Sequence, residues 1–280
     1  MSTDIYTQTS KELAPYYDQR ESKALARIVI EDVLHLSLTK IMAGIEKPLT
    51  QEQQTRLHNV VRRLKNHEPI QYIIGQTDFC DIPIRVNSSV LIPRPETEQI
   101  VTIVTSLFDD TQDISLMDAC TGSGCIAIAI KVQRPQWHIE ACDISPQALQ
   151  TARFNAELNN ADIGFSNIDI LSDTLPDRHF DIITSNPPYV MNKEKAFMQQ
   201  NVLQHEPHLA LFVDDSDPLV FYRALATLGT RSLHKDGILI CEINHLLSGE
   251  TENLFKAQGY ADVTIINDSF NKPRFVLCRK

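Results

Sequence analysis

Hydrophobic positions change period near residue 76, and that change divides the chain. Before it the spacing is helical. Leu25, Ile28, Val29, Val33 and Leu36 fall on one face, and Thr50-Gln51-Glu52-Gln53 reads as a capping box opening a helix through His67. Residues 1–76 are therefore expected to form a small helical bundle. Over 77–86 the period drops to two, with Ile82, Ile84 and Val86 alternating, which predicts a short β-hairpin with Pro83 on an edge. Residues 77–93 then link the bundle to a second region. From Arg94 to the last residue, short apolar runs alternate with helical stretches, as in a parallel sheet with helices on both faces. The runs 261–266 and 274–278 lie too close for a crossover helix and are predicted to pair antiparallel. The fold class is α/β.

Two turns in the second region carry chemistry. Residues 115–120 (SLMDAC) read as a buried strand, followed by Thr121-Gly122-Ser123-Gly124 and a helical run from Cys125. Strand, glycine turn and helix make a nucleotide cradle: glycine lets main chain approach a ligand, and a helix start offers unpaired N–H groups. The turn lacks the Gly-Lys-Ser/Thr of a phosphate loop, and Ala127 occupies the third glycine position of the dinucleotide pattern. A second strand, 137–142, ends in Asp143, where nucleotide-binding α/β folds hold the ribose hydroxyls. Asp143 can alternatively cap the helix opening at Pro146, although Ser145 is the better cap. A third strand over 162–167 leads to Asp169 and Ile170, either a plain loop or a polar group and an apolar wall for an adenine ring.

The apolar run 180–185 ends in Asn186, Pro187, Pro188 and Tyr189. Proline fixes its own φ and restricts the residue before it, so this turn is stiff. The Asn186 side-chain oxygen and the Pro187 carbonyl can face outward as acceptors for two amide hydrogens, with Tyr189 covering a flat group. The alternative is an ordinary strand-ending turn. Glycine turn, acid after the next strand, then this tetrapeptide after the fourth strand is the order of an S-adenosylmethionine-dependent amino-group methyltransferase.

Over nearly its whole length the chain resembles the glutamine-amide methyltransferases that modify peptide-chain release factors. The resemblance is carried by 68–75 (EPIQYIIG), 90–98 (VLIPRPETE), 118–124, Asp143-Ile144-Ser145-Pro146 and the Asn186 tetrapeptide, with Glu206-Pro207 and Ala210-Leu211. Residues 91–98 discriminate most, because other amino-group methyltransferases share the catalytic turn but generally lack that block. The resemblance implies a Rossmann-like class I S-adenosylmethionine methyltransferase domain over 94–280. A helical substrate-binding domain (1–76) and the hairpin linker (77–93) precede it. It implies cofactor contacts from Cys120, Thr121, Gly122, Ser123, Gly124, Asp143, Asp169, Ile170 and Asn186. Catalysis and substrate binding fall to Asn186, Pro187, Pro188 and Tyr189. Residues 94–97 belong near the methionine end of the cofactor, and Pro95 with its following acids also reads as a helix start. The implied partner is a release factor, modified at the glutamine of its Gly-Gly-Gln loop. Cys120 stands where the family usually has the first glycine of its loop, and the strand 238–243 lacks a glutamine commonly found a few residues later. Glu206 and Glu242 either line the pocket or serve local structure.

Composition bears on the rival reading, an adenine-amino methyltransferase acting on DNA or RNA, whose target is also a conjugated NH2. Such an enzyme needs clustered Lys and Arg to displace counterions, whereas this chain has a formal charge of -10. No nucleic-acid partner is expected. Arg62, Arg63 and Lys65 form one basic group that reads either as a local patch or as a solvated helix face. The six cysteines show no Cys-x-x-Cys pair and the nine histidines no ligand spacing, so no metal site is expected. The first 17 residues carry no apolar core of signal length, and no run reaches the ~18 residues of a membrane span. A cytoplasmic monomer is expected.

Overall fold

The computed structural model describes residues 4–45, 48–109, 112–172 and 178–280, and the parts of the predicted domains that fall between these ranges, with residues 1–3, lie outside the described residues. Internal contacts divide the chain into two units. One joins the residues up to Gly75 to Gln199–His205, and the other joins Gln76–Met198 to Glu206–Lys280.

The first unit is helical, with α1 (Ile5–Leu13), α2 (Gln19–Ile28), α3 (Leu38–Met42), α4 (Gln51–Lys65) and α5 (Ile70–Ile74). Asp4 and Asp18 cap α1 and α2 by accepting backbone N–H bonds. The capping box of α4 forms as predicted: Gln53 N–H donates to Thr50 Oγ1 at 3.2 Å and Thr50 N–H to Gln53 Oε1 at 3.0 Å. This helix stops at Lys65 rather than His67, because Asn66 leaves helical backbone and His67 turns left-handed at φ 58°. Leu25, Val29 and Val33 face Leu13, Val60, Val61, Leu64 and Ile70 in a common core. A π turn at Val29–Val33 carries that face beyond the end of α2. In the basic group, Arg63 is paired with Glu68 at 2.5 Å and Lys65 with Glu12 at 2.6 Å, which neutralises two of its three charges.

The second unit opens with the hairpin β1 (Gln76–Phe79) and β2 (Ile82–Arg85). Its turn residues Cys80 and Asp81 both take positive φ, 48° and 63°, the two-residue geometry that matches the twist of paired strands. The later strands are β3 (Ser115–Ala119), β4 (His138–Asp143), β5 (Gly164–Asn167), β6 (Phe180–Ser185), the short parallel pair β7 (Val190–Met191) and β8 (Phe212–Val213), β9 (Leu233–Glu242), β10 (Asp262–Asn267) and β11 (Pro273–Arg279). Seven of them form one sheet in the order β10-β11-β9-β6-β3-β4-β5. The five from β9 to β5 are parallel, while β11 runs antiparallel to both of its neighbours. The expected antiparallel pair is present, and β11 is inserted between β9 and β10. Strands covered on both faces are buried along nearly their whole length, as in β3 and β6.

Three helices bear on the site: α6 (Glu98–Ser106), α7 (Cys125–Gln133) and α8 (Pro146–Leu158). Residues Cys125 to Ile130 of α7 are all buried, which explains a helix apolar on every side. Asn155, fully buried in mid-α8, is a weak helix former with a structural task. Its Oδ1 accepts from Arg85 N–H at 2.8 Å, and its Nδ2 donates to the carbonyls of Arg85 (3.0 Å) and Ser123 (2.9 Å). One amide thus fastens both the hairpin and the glycine turn to α8. Asn159 repeats the contact one turn on, donating to the Pro83 carbonyl at 2.9 Å. Among the described residues no helix is long and apolar enough to cross a membrane.

Candidate active site

The carboxyl ends of β3, β4 and β6 converge on one cavity of ≈350 Å3, where ligands of open parallel sheets bind. Its first wall is the turn after β3. Cys120 takes φ 57° and Gly122 φ 56°, both left-handed. For Cys120 that conformation is strained by about 1–2 kcal/mol relative to glycine, the residue the family resemblance leads one to expect there. Burial pushes its thiol well above the ordinary range. Among the described residues nothing stands within 4 Å of where a Gly122 Cβ would project, so this main chain is open to a ligand.

Asp118 braces the turn from below. It is fully buried, accepts from Thr121 Oγ1 at 2.5 Å and from Thr184 Oγ1 at 2.7 Å, and so ties β3 to β6. Desolvation pushes its carboxyl up to about 6. Asp143 closes the turn from the side: Oδ2 accepts from Gly122 N–H and Oδ1 from Ser145 N–H, each at 2.8 Å. Burial raises this carboxyl too. Each oxygen keeps a further lone pair for a ligand hydroxyl. The helix-capping alternative goes to Ser145, whose Oγ accepts from Ala148 N–H at 3.1 Å.

Among the residues expected from sequence, Cys120, Thr121, Gly122, Ser123, Asp143, Asp169, Ile170, Asn186 and Pro188 line this single cavity. Gly124, Pro187 and Tyr189 do not. Gly124 lies at φ 81°, and an added Cβ would come within 2.9 Å of Ile128 Cδ1 and 3.2 Å of Ala152 Cβ, so glycine is there for helix packing. Pro187 is buried, and its carbonyl, next to the lining residues Asn186 and Pro188, takes no hydrogen bond from the described residues, so it stays free to accept one. Tyr189 packs against the sheet core and donates its hydroxyl to Glu242 Oε1 at 2.7 Å.

Sequence reasoning left Glu206 and Glu242 undecided, and neither lines the cavity. Glu206, 4 % exposed, accepts from Ile92 N–H at 3.2 Å and Arg94 Nη2 at 2.6 Å, fixing the 92–94 segment whose Pro93 and Arg94 face the cavity. Glu242, 2 % exposed, accepts from Thr97 Oγ1 at 2.7 Å as well as from Tyr189, with Arg274 Nη1 at 3.9 Å. Burial raises its carboxyl, and the two hydroxyls and the guanidinium oppose that. Thr97 in turn accepts from Asn186 Nδ2 at 3.3 Å. Leu209, Leu171, Ile144 and Phe221 complete an apolar lining that was not anticipated. The exposure of the leucines at 171 and 209 is visible only in the structure, and the sequence carries no spacing that marks these four as a lining.

The donor set fits an adenosyl sulfonium ligand. It offers an open glycine backbone, an acid at the end of β4, an apolar wall of Ile144, Ile168 and Ile170, and Asn186 on the same cavity. Two family models match the chain: "PrmC N-terminal domain" over residues 4–75 and "Methyltransferase small domain" over 100–211. The release factor glutamine methyltransferase of Flavobacterium psychrophilum is 39% identical over 273 residues, covering 96% of each chain. That of Bacteroides thetaiotaomicron is 40% identical over 269 residues, again 96% of each. Among solved structures, the hMettl16 catalytic domain in complex with MAT2A 3'UTR hairpin 6 aligns with TM-score 0.56 at 15% identity, covering 82% of both chains. That likeness shows the class I methyltransferase fold alone.

Proposed function

The chain belongs to the release factor glutamine methyltransferase family, an S-adenosylmethionine-dependent family, and on that premise we propose that it methylates the side-chain amide nitrogen of the glutamine in a release factor's Gly-Gly-Gln loop. The observation that carries the reading is that Asn186, Gly122 and Asp143 line one cavity. A cofactor-type cradle and a rigid amide acceptor thereby share a wall.

When bound, S-adenosylmethionine supplies an electrophilic methyl group on a sulfonium, and the substrate amide nitrogen takes it. Asp143 and the Gly122 backbone hold the adenosyl end, with Asp169 and Ile170 at the base. The amide nitrogen is a poor nucleophile, since its lone pair is delocalised into the carbonyl. Asn186 Oδ1 and the Pro187 carbonyl accept its two hydrogens and fix its direction, and such positioning contributes about 7–11 kcal/mol in favourable cases. As the new N–C bond forms the nitrogen becomes more positive and its hydrogens more acidic. Acceptors fixed in place therefore stabilise the transition state more than the ground state. The methylated nitrogen then returns to a neutral amide by losing one of these acidified hydrogens to solvent, so no strong base is needed, and the sulfonium is left as the neutral thioether of S-adenosylhomocysteine. Pro188 stiffens the turn, and Tyr189 anchors its far end. The helical unit grips the release factor at a second surface, which adds affinity without touching the chemistry.

The test is transfer of radiolabelled methyl from S-adenosylmethionine to purified release factor, with DNA and RNA assayed in parallel. Label is expected on release factor alone. Asn186→Ala should raise the barrier by about 2.7–4 kcal/mol, a drop in turnover on the order of 100- to 1000-fold. Full turnover of that variant at saturating release factor, or label on nucleic acid instead, refutes the reading.

A further inference from the structure

We propose that Thr97 and Glu242 are positioning residues that decide which end of the Asn186 amide faces the substrate. The inference rests on the role given to Asn186 above and adds what enforces it. An asparagine amide is nearly symmetric in shape but opposite in chemistry at its two ends: a turned amide would present two hydrogens to the two hydrogens of the substrate NH2. Shape cannot select the productive orientation. A hydrogen-bond partner of fixed polarity can.

The chain of bonds behind Asn186 has such a polarity. Glu242 ends β9 with both carboxylate oxygens in use, Oε2 accepting from Thr97 Oγ1 and Oε1 from the Tyr189 hydroxyl, each at 2.7 Å. Arg274 is held beside it, its guanidinium bonded through Nε and Nη2 to Asp268 Oδ2 at 3.1 and 3.0 Å, and this positive charge works with the two hydroxyl donors against the burial that raises the Glu242 carboxyl. Thr97 is 2 % exposed and its hydroxyl carries one proton, which is committed to Glu242. Toward Asn186 the same oxygen can only accept, and it does so from Nδ2 at 3.3 Å. The amide nitrogen is therefore held toward Thr97, another lining residue, and Oδ1 is left without a protein donor among the described residues, free to accept from a substrate. One buried carboxylate thus controls both ends of the catalytic turn, Tyr189 directly and Asn186 through Thr97. The three groups come from separate segments, the turn before α6, the end of β6 and the end of β9.

Thr97→Val keeps the shape and removes the hydroxyl, Thr97→Ser keeps the hydroxyl, and Thr97→Ala serves if valine overpacks. Turnover of release factor, KM for release factor and calorimetric affinity for S-adenosylmethionine are measured for each, alone and combined with Asn186→Ala. Thr97→Val is expected to lower kcat by about tenfold or more, with KM and cofactor affinity held within about twofold, and Thr97→Ser to restore most of the loss. In the Asn186→Ala background Thr97→Val should have no further effect, since no amide remains to orient. Glu242→Gln, which can offer an NH2 to Thr97 in place of an acceptor, should likewise lower kcat while cofactor affinity persists. Wild-type turnover in Thr97→Val, or an equal loss with and without Asn186, overturns the inference while the role of Asn186 stands. Full turnover in Asn186→Ala overturns that role and the inference with it.

Discussion

Replacing Gly124 by alanine separates what packing demands of the glycine turn from what ligand binding demands. The backbone there is at φ 81°, and a Cβ in the left-handed region costs about 1–2 kcal/mol. The new methyl would also meet Ile128 Cδ1 at 2.9 Å, Ala152 Cβ at 3.2 Å and Ala152 Cα at 3.4 Å. The isoleucine tip can swing aside, but Ala152 belongs to α8, which Asn155 fastens to the turn through Ser123, so α7 and α8 must part slightly. Overpacking of this kind costs about 1–3 kcal/mol, and the stiffer unfolded chain returns about 0.4–1 kcal/mol. The net loss is about 2–4 kcal/mol, which for a unit of this size lowers Tm by roughly 5–12 °C. Gly122→Ala is the control: its φ is 56° but its Cβ meets none of the described residues within 4 Å, so only the backbone cost applies. Because Gly122 lines the cavity, its methyl should instead weaken S-adenosylmethionine binding. Scanning calorimetry and cofactor titration of both variants decide the matter. A Gly124→Ala protein with Tm within about 2 °C of wild type, or less perturbed than Gly122→Ala, refutes the packing argument.

Two further outcomes are expected. The Asp118 carboxyl, pushed by burial from 3.8 to about 6, binds its proton more tightly in the folded protein. Its contribution to stability is therefore complete below about pH 4 and is lost as pH rises through 6, a swing of about 3 kcal/mol. Asp118→Asn should gain that much on wild type between pH 4 and pH 7 in urea denaturation, and a pH-independent difference would count against the buried charge. Removing the residues before Thr77 should weaken release-factor affinity at least about tenfold while S-adenosylmethionine affinity, measured by titration, is kept. Undiminished release-factor affinity would show that the helical unit contributes no second grip.

Most of the cavity was legible because its chemistry is local. Positive φ at Gly122, stiffness at Pro187 and Pro188, and an acid at the end of β4 are properties of a few adjacent residues. Their order along the chain maps onto neighbouring parallel strands. The capping box at Thr50 and the hairpin over 76–85 are short-range in the same sense. Gly124 shows where local reading misassigns a cause: its glycine signals a turn equally well whether a ligand or Ala152 forbids the side chain.

What sequence determined by itself was the helical region followed by an α/β order of strands, and the residues whose own backbone or functional group creates the site. What only the tertiary structure decided was partnership at a distance. Thr97 meets Glu242 across 145 positions, Glu206 meets Arg94 across 112, Asn155 meets Arg85 across 70, and β11 enters between β9 and β10. Periodicity reports which face of an element is buried and says nothing of what it is buried against. A carboxylate reads the same in sequence whether it faces a ligand or holds a hydroxyl, and only the packing of the sheet brings Glu242 behind Asn186 rather than beside it.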